Sequence, residues 1–221
     1  MGENIFSVLG PIMVGPSSSH TAGVARLGKM ARNILGKEPE GAEITFFGSF
    51  ATTYKGHGSD RAVIGGLLGM DSSDGRIPNA LEIASEMGFK YTFKAIEPVS
   101  GHPNSLEIKT WNKEETIEML GSSRGGGNIL IEKINGFDVL LDGQYPTLWI
   151  LLFDRPGMVG KIASLLASKM INIANMRLER SQPRGLASMT IECDNAVGPE
   201  IIEEIRQKEF VSSCRYIPRV R

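Results

Sequence analysis

The chain has 221 residues, 24 basic and 25 acidic, with a formal charge of −1, 41% hydrophobic and 22% charged residues. The length suits two modest domains, and the balanced charge argues against a polycationic surface for nucleic acid or anionic lipid. Apolar stretches stop well short of a membrane span and Met1 to Asn4 carry no basic leader region, so a cytoplasmic chain without nucleic-acid or membrane partners is expected.

The first feature in chain order is Gly15-Pro16-Ser17-Ser18-Ser19-His20-Thr21, which runs into a helical stripe of Val24, Leu27, Met30, Ala31, Ile34 and Leu35. Free N–H groups at a helix entrance, helped by the macrodipole, favour an anion such as a carboxylate. One hydroxyl suffices for an N-cap. The cluster Ser17, Ser18, Ser19, His20 and Thr21 exceeds that need, which points to ligand binding.

A strand is expected over ITFFGSFATT, followed by Lys55-Gly56-His57-Gly58-Ser59-Asp60 and an apolar helix over 62–68. Gly56 and Gly58 free the backbone around His57 of Cβ bulk and let a small molecule approach. Ser59 or Asp60 is read as the helix cap. A further helix is expected over 77–87, then the loop Ser100-Gly101-His102-Pro103-Asn104-Ser105 before the strand LEIKTW. All three histidines thus lie in loops, where binding and catalytic residues concentrate. Gly125-Gly126-Gly127-Asn128 lacks the following Lys-Ser/Thr of a P-loop and precedes a strand, so nucleotide binding is rejected there.

The segment NILIEKINGFDVLLD reads as a hairpin turning at Asn135-Gly136. Gly143, Gln144, Tyr145 and Pro146 interrupt the pattern and serve as the linker. The expected domains are residues 1–143 and 147–221.

The second domain opens with the strand TLWILLFD and a turn at Arg155-Pro156-Gly157. Met158, Ile162, Leu165, Leu166 and Met170 then recur at helical spacing. IANMRLERS and LASMTIECD alternate as strands around Gln182-Pro183-Arg184-Gly185. A short helix with Ile201, Ile202 and Ile205 follows Gly198-Pro199, and VSSCRYIPRV is the last strand. The order β-α-β-β-α-β is a ferredoxin-like fold, which hosts many functions and settles none. The two cysteines, Cys193 and Cys214, fall in these strands and form no cluster with metal-ligand spacing. Reduced, partly buried thiols are expected.

Asp154-Arg155-Pro156-Gly157, the helix after it and Asn172-Ile173-Ala174 resemble the ACT domain family. That resemblance implies ACT-mediated self-association and an amino-acid site where the strand-one loop of one copy meets the helix terminus of another. Asp154, Arg155, Gly157 and Asn172 are its candidates here. The plainer alternative is that Gly157 permits the turn and Asn172 ends the helix.

GPSSSHTAG, GHGSDRA, GHPNS and GGGN together resemble the β chain of the iron-sulfur L-serine dehydratase family in its two-chain form. The resemblance spans essentially the whole chain and joins a mixed α/β N-terminal domain to the C-terminal ACT domain. It implies conversion of L-serine to pyruvate and ammonia by a [4Fe-4S] cluster, without pyridoxal phosphate. Two separated cysteines cannot hold a cubane, which assigns the cluster to a cysteine-bearing α chain. The base that removes the serine α-proton is expected at His57, with His20 the second catalytic candidate. Ser17, Ser18, Ser19 and Thr21, with His102 and Asn104, are expected to bind substrate. Metal ligands are expected nowhere in this chain. The competing readings are a regulatory subunit whose first domain holds serine only as effector, as in the substrate-binding domains of some dehydrogenases, and a freestanding amino-acid sensor.

Overall fold

A computed structural model of the chain describes residues 13–97, 101–180 and 185–220. Met1 to Asn4, Ser100 and the Gln182 to Arg184 part of the expected turn lie outside the described residues. The chain divides into two compact units, one built up to Gly136 with Leu140–Asp142, the other from Phe137–Val139 and Gly143–Arg219.

The first unit begins with a single π-helical turn, Ser18–Gly23, that passes directly into α1, Val24–Leu35. The continuous helix expected from residue 22 therefore has a wider first turn carrying His20. Strand β1, Gly41–Phe47, is followed by the short helix α2, Ser49–Thr53, and by α3, Ser59–Leu67. The strand expected over ITFFGSFATT thus ends at Phe47. Gly48 adopts φ 56° and ψ −125°, a conformation closed to side chains with a Cβ, and turns the chain sharply. The threonines beyond it are helical, with Tyr54 N donating to Phe50 O at 3.0 Å, and the Thr52 and Thr53 hydroxyls donate to Ser49 O at 3.1 and 2.6 Å. The helix expected over 77–87 opens as a 3₁₀ turn, Ile77–Asn79, before α4, Ala80–Glu86.

Strands β2, Lys90–Ile96, β3, Ser105–Trp111, β4, Thr116–Gly125, β5, Asn128–Ile134, and β6, Phe137–Leu141, complete a sheet of order β2-β1-β3-β4-β5-β6. β1 and β2 run parallel, and β1–β3, β3–β4 and β4–β5 are antiparallel. β2 and β4 have no counterpart among the expected elements. The glycine run forms the β4–β5 turn, with positive φ at Gly125, Gly126 and Gly127, and Arg26 of α1 donates to Gly127 O at 2.8 Å. Asn135 and Gly136, both at positive φ, form the tight turn read from the sequence.

Leu27, Met30, Ile34, Ile44, Phe46, Ile64, Leu67, Leu106 and Ile108 are fully buried and form the centre of this unit. α1 and α3 meet almost backbone to backbone. A Cβ on Gly66 would lie 2.0 Å from Ala25 O, and one on Gly28 would lie 2.3 Å from Val63 O. These paired glycines set how closely the two helices approach, and both helices start where a histidine loop ends.

The second unit follows the order read from the sequence. It comprises β7, Thr147–Phe153, α5, Met158–Ser168, β8, Ile173–Arg180, β9, Leu186–Cys193, α6, Pro199–Arg206, and β10, Val211–Ile217. The sheet order is β10-β7-β9-β8 and every pairing is antiparallel, the ferredoxin-like arrangement. Leu148, Ile150 and Leu152 of β7 share one core with Ile162, Leu166, Ile201 and Ile205 from the helices. Trp149 points to the other face, yet it is 1% exposed, and its indole N–H donates to Ser188 Oγ at 2.9 Å.

Candidate functional site

The site begins with the π-helical turn. Ser17 caps it: its Oγ accepts from His20 N at 3.1 Å and lies 3.3 Å from His20 Nδ1, while its carbonyl accepts from Thr21 N at 2.9 Å. One hydroxyl does the capping, as the sequence argument allowed. Ser18 and Ser19 occupy the same turn and are half-buried.

This turn is cross-linked to the His57 loop by two hydroxyls. Thr21, 2% exposed, donates to His57 O at 3.1 Å, and fully buried Ser59 donates to His20 O at 2.6 Å. Each histidine loop therefore holds the other by its main chain. The His20 and His57 rings come to a centroid separation of 4.7 Å, inclined by 33°. His20 also packs edge-on against Phe50 at 5.0 Å, and its Nε2 lies 3.5 Å from Ser49 Oγ.

His57 Nδ1 lies 3.3 Å from Thr53 O. A carbonyl only accepts, so this contact puts the proton on Nδ1 and leaves the Nε2 lone pair available. Burial and, after it, the neighbouring His57 hold the His20 pKa below the usual imidazole value. His20 is thus biased towards the neutral form.

The third histidine loop joins through Ser49. Ser49 N donates to Pro103 O at 2.8 Å, while Ser49 Oγ faces His20. Within that loop Asn104 N donates to His102 Nδ1 at 3.2 Å and Ser105 Oγ to His102 O at 2.6 Å. Burial, then the Arg124 charge, lower the His102 pKa, against a smaller opposite effect of Glu132. The structure thus gathers Ser17, His20, Thr21 and His57 directly and links the His102–Asn104 loop to them through one residue. Ser49 was not singled out in the sequence. The available signal was Gly48, a glycine between Phe47 and the Ser49–Thr53 segment, marking a bend where a strand was expected.

A cleft of about 180 Å³ opens beside His57, lined by Gly15, Pro16, Thr21, Lys55, Arg61 and Ile77 among others. Neither Lys55 nor Arg61 was read as a site residue, although both flank His57 in the sequence.

The lowered imidazole values fix a pH dependence. The folded chain binds the His20 and His102 protons less tightly than the unfolded chain. Their stabilising effect is therefore complete above the usual imidazole value of about 6.5 and is lost as pH falls through it. The urea midpoint of the chain is expected to drop between pH 7 and 5, and His20→Asn is expected to flatten that slope. An equal slope in the variant removes desolvation of His20 as the cause.

In the second unit Asp154 pairs with Arg180 at 3.3 Å, Arg155 with Glu209 at 3.7 Å, and Gly157 caps α5 at φ 83°. Asn172 Nδ2 donates to Asp194 Oδ2 at 2.6 Å. Phe153 is opposite Leu186 and Thr147 opposite Glu192, so the Asp154 turn and Asn172 lie at opposite ends of these strands. They do not meet within one copy.

No group of three or more His, Cys, Asp or Glu side chains able to hold a metal occurs among the described residues. Cys193 and Cys214 are free and buried, and burial raises their thiols to about 11 and about 12. Such thiols do not fit a cluster, which needs several converging thiolates.

The first unit brings two histidine-bearing segments together beside a small cleft, and the second unit is a ferredoxin-like module. Family models match it twice, as the serine dehydratase beta chain over residues 4–88 and as the ACT domain over residues 148–210. A protein of Bacillus subtilis named "Probable L-serine dehydratase, beta chain" is 43% identical, with 92% of each chain covered. The "L-serine dehydratase, beta chain" of Peptoniphilus asaccharolyticus is 35% identical, with 96% of each covered. A D-3-phosphoglycerate dehydrogenase of Archaeoglobus fulgidus is 27% identical over 87% of this chain but only 37% of its own length. The chain belongs to the serine dehydratase beta chain family and carries an ACT domain at its carboxy-terminal end.

Proposed function

We propose that the chain is the β subunit of an L-serine dehydratase, which converts L-serine to pyruvate and ammonia at a site shared with a cysteine-bearing α chain. The observation that carries this reading is the 4.7 Å pairing of His20 with His57 beside a cleft of amino-acid size. Elimination of water from serine requires loss of the α-proton and of the β-hydroxyl. His57, with Nδ1 turned to Thr53 O, offers Nε2 to take the α-proton. His20, kept towards neutrality and flanked by Ser17 and Ser49, orients the substrate together with Ser18, Ser19 and Thr21. His102 and Asn104 join this group through Ser49. The [4Fe-4S] cluster belongs in this reading to the α chain, since the described residues here offer it no ligand set. The ACT module supports self-association, and an amino acid would sit between two copies, where Asp154, Arg155 and Gly157 of one face Asn172 of the other. The reduced thiols fit a cytoplasmic location.

The purely regulatory reading is not favoured: the relatives that match at full length are named as dehydratase β chains, whereas the dehydrogenase shares about a third of its length. The test is reconstitution. Combined anaerobically with a cysteine-rich α chain, this chain is expected to form pyruvate from L-serine, and neither chain is expected to do so alone. Turnover by this chain alone, or none from the pair once assembly is demonstrated, overturns the proposal.

A further inference from the structure

Among the described residues, the formally charged side chains that line the cleft beside His57 are Lys55 and Arg61, both cationic, and they flank His57 on the same loop and helix start. The nearest carboxylate in sequence, Asp60, is engaged with the main chain, its Oδ1 accepting from Arg61 N at 2.8 Å. Lys55 is placed by an aromatic stack. Its Nζ lies 5.8 Å from the Tyr54 ring centroid, and Tyr54 in turn stacks on buried Phe46 at 4.7 Å and 17°. Of the remaining lining, Val14, Pro16, Ile77 and Pro78 are apolar, and the Thr21 hydroxyl is turned to His57 O. A guanidinium and an ammonium converging on one small cleft favour a compact anion. A volume of about 180 Å³ admits a three-carbon acid and not a nucleotide.

We propose that Lys55 and Arg61 form the carboxylate clamp of this cleft and select α-amino acids over amines and amides of the same shape. The proposal rests on reading the cleft as the serine site. It leaves Thr21 and His57, the polar side chains that line the cleft beside the two cations, to face the rest of the amino acid. A carboxylate bound there brings the α-carbon of a short amino acid to the His57 side of the cleft.

In the assembled enzyme, Lys55→Met and Arg61→Met are each expected to raise KM for L-serine at least tenfold, and the double variant further. Competitive inhibition by L-alanine falls in parallel, whereas L-alaninamide, which lacks the carboxylate, inhibits wild type and variants alike. Lys55→Arg and Arg61→Lys retain charge and are expected to recover most of the affinity, which separates lost charge from lost folding. KM within twofold of wild type in a double variant that still assembles overturns the clamp.

A second measurement separates the clamp from the enzyme reading. On the full chain alone, L-alanine is expected to shift the imidazole resonances of His20 and His57, and the double variant to abolish the shifts. If the assembled wild type does not dehydrate serine, the enzyme reading fails and these shifts still judge the clamp. Shifts that persist in the double variant, or none in wild type, overturn it.

Discussion

His57→Ala is expected to lower kcat of the assembled enzyme at saturating L-serine by about 10²- to 10⁴-fold, the range spanned by a positioned general base. The substitution removes the ring and little else. The tie that holds this loop runs from the Thr21 hydroxyl to His57 O, and the His57 N–H donates to Thr53 O at 3.1 Å, so both survive in alanine. Circular dichroism and urea unfolding should accordingly match wild type. Steady-state turnover of the reconstituted pair is the measurement, and near-normal kcat removes His57 from proton transfer. An effector-site role predicts instead a change confined to activation or its lag. His20→Ala serves as the contrast: it is expected to raise the serine requirement as well, because its ring is hydrogen-bonded to Ser17 and Ser49 and packs beside His57.

Replacing Gly66 by valine is expected to destabilise the first unit by about 3 kcal/mol or more, at or beyond the upper end of ordinary overpacking. The contact a Cβ would make there, 2.0 Å, is to the main-chain oxygen of Ala25, which has no rotamer to retreat into. With total stabilities of about 5–15 kcal/mol, such a cost shifts the urea transition to clearly lower concentration or abolishes it. Gly65→Ala is the control. Its new methyl would meet the Ile77 Cγ1 at 3.2 Å and the Met70 Sδ at 3.3 Å, side-chain atoms that can move. A Gly66→Val chain as stable as Gly65→Ala contradicts the close seam between α1 and α3. Where Gly66→Val still folds, the helices are forced apart, the 4.7 Å histidine pair opens, and the serine requirement rises with it.

The second unit was legible almost entirely. Its strands alternate, its helices carry apolar stripes, and its turns hold Gly and Pro, so each local preference agrees with the fold. The first unit was legible in its loops and less so in its frame. β2 is an exposed edge strand, and Tyr91 and Phe93 alternating with Lys90, Thr92 and Lys94 were a period-2 signal that the sequence did carry. α2 escaped because Thr52 and Thr53 favour strands by propensity and the helix is only five residues long. At the site, the histidine and serine types announced themselves, but their grouping did not. The bonds that bring them together span 36 and 39 positions, and no local pattern encodes which hydroxyl reaches which carbonyl. Gly66 carried a readable warning, since a glycine inside an apolar helix costs about 1 kcal/mol against alanine and needs a packing reason. Lys55 and Arg61 look like ordinary surface charges until the cleft between them is seen.

The two hydroxyl ties end on the carbonyls of His20 and His57 and never on their rings. Main-chain oxygens are present whatever residue stands there, so loop register and imidazole are specified by different positions: the hydroxyls of 21 and 59 keep the loops in register, while 20 and 57 carry the rings. A chain that retained the first pair and exchanged the second would keep a formed pocket without a proton acceptor, a receptor made from an enzyme by two substitutions. Read the other way, the same separation lets the imidazoles be tuned or replaced one at a time, with the loss in rate uncontaminated by loss of fold.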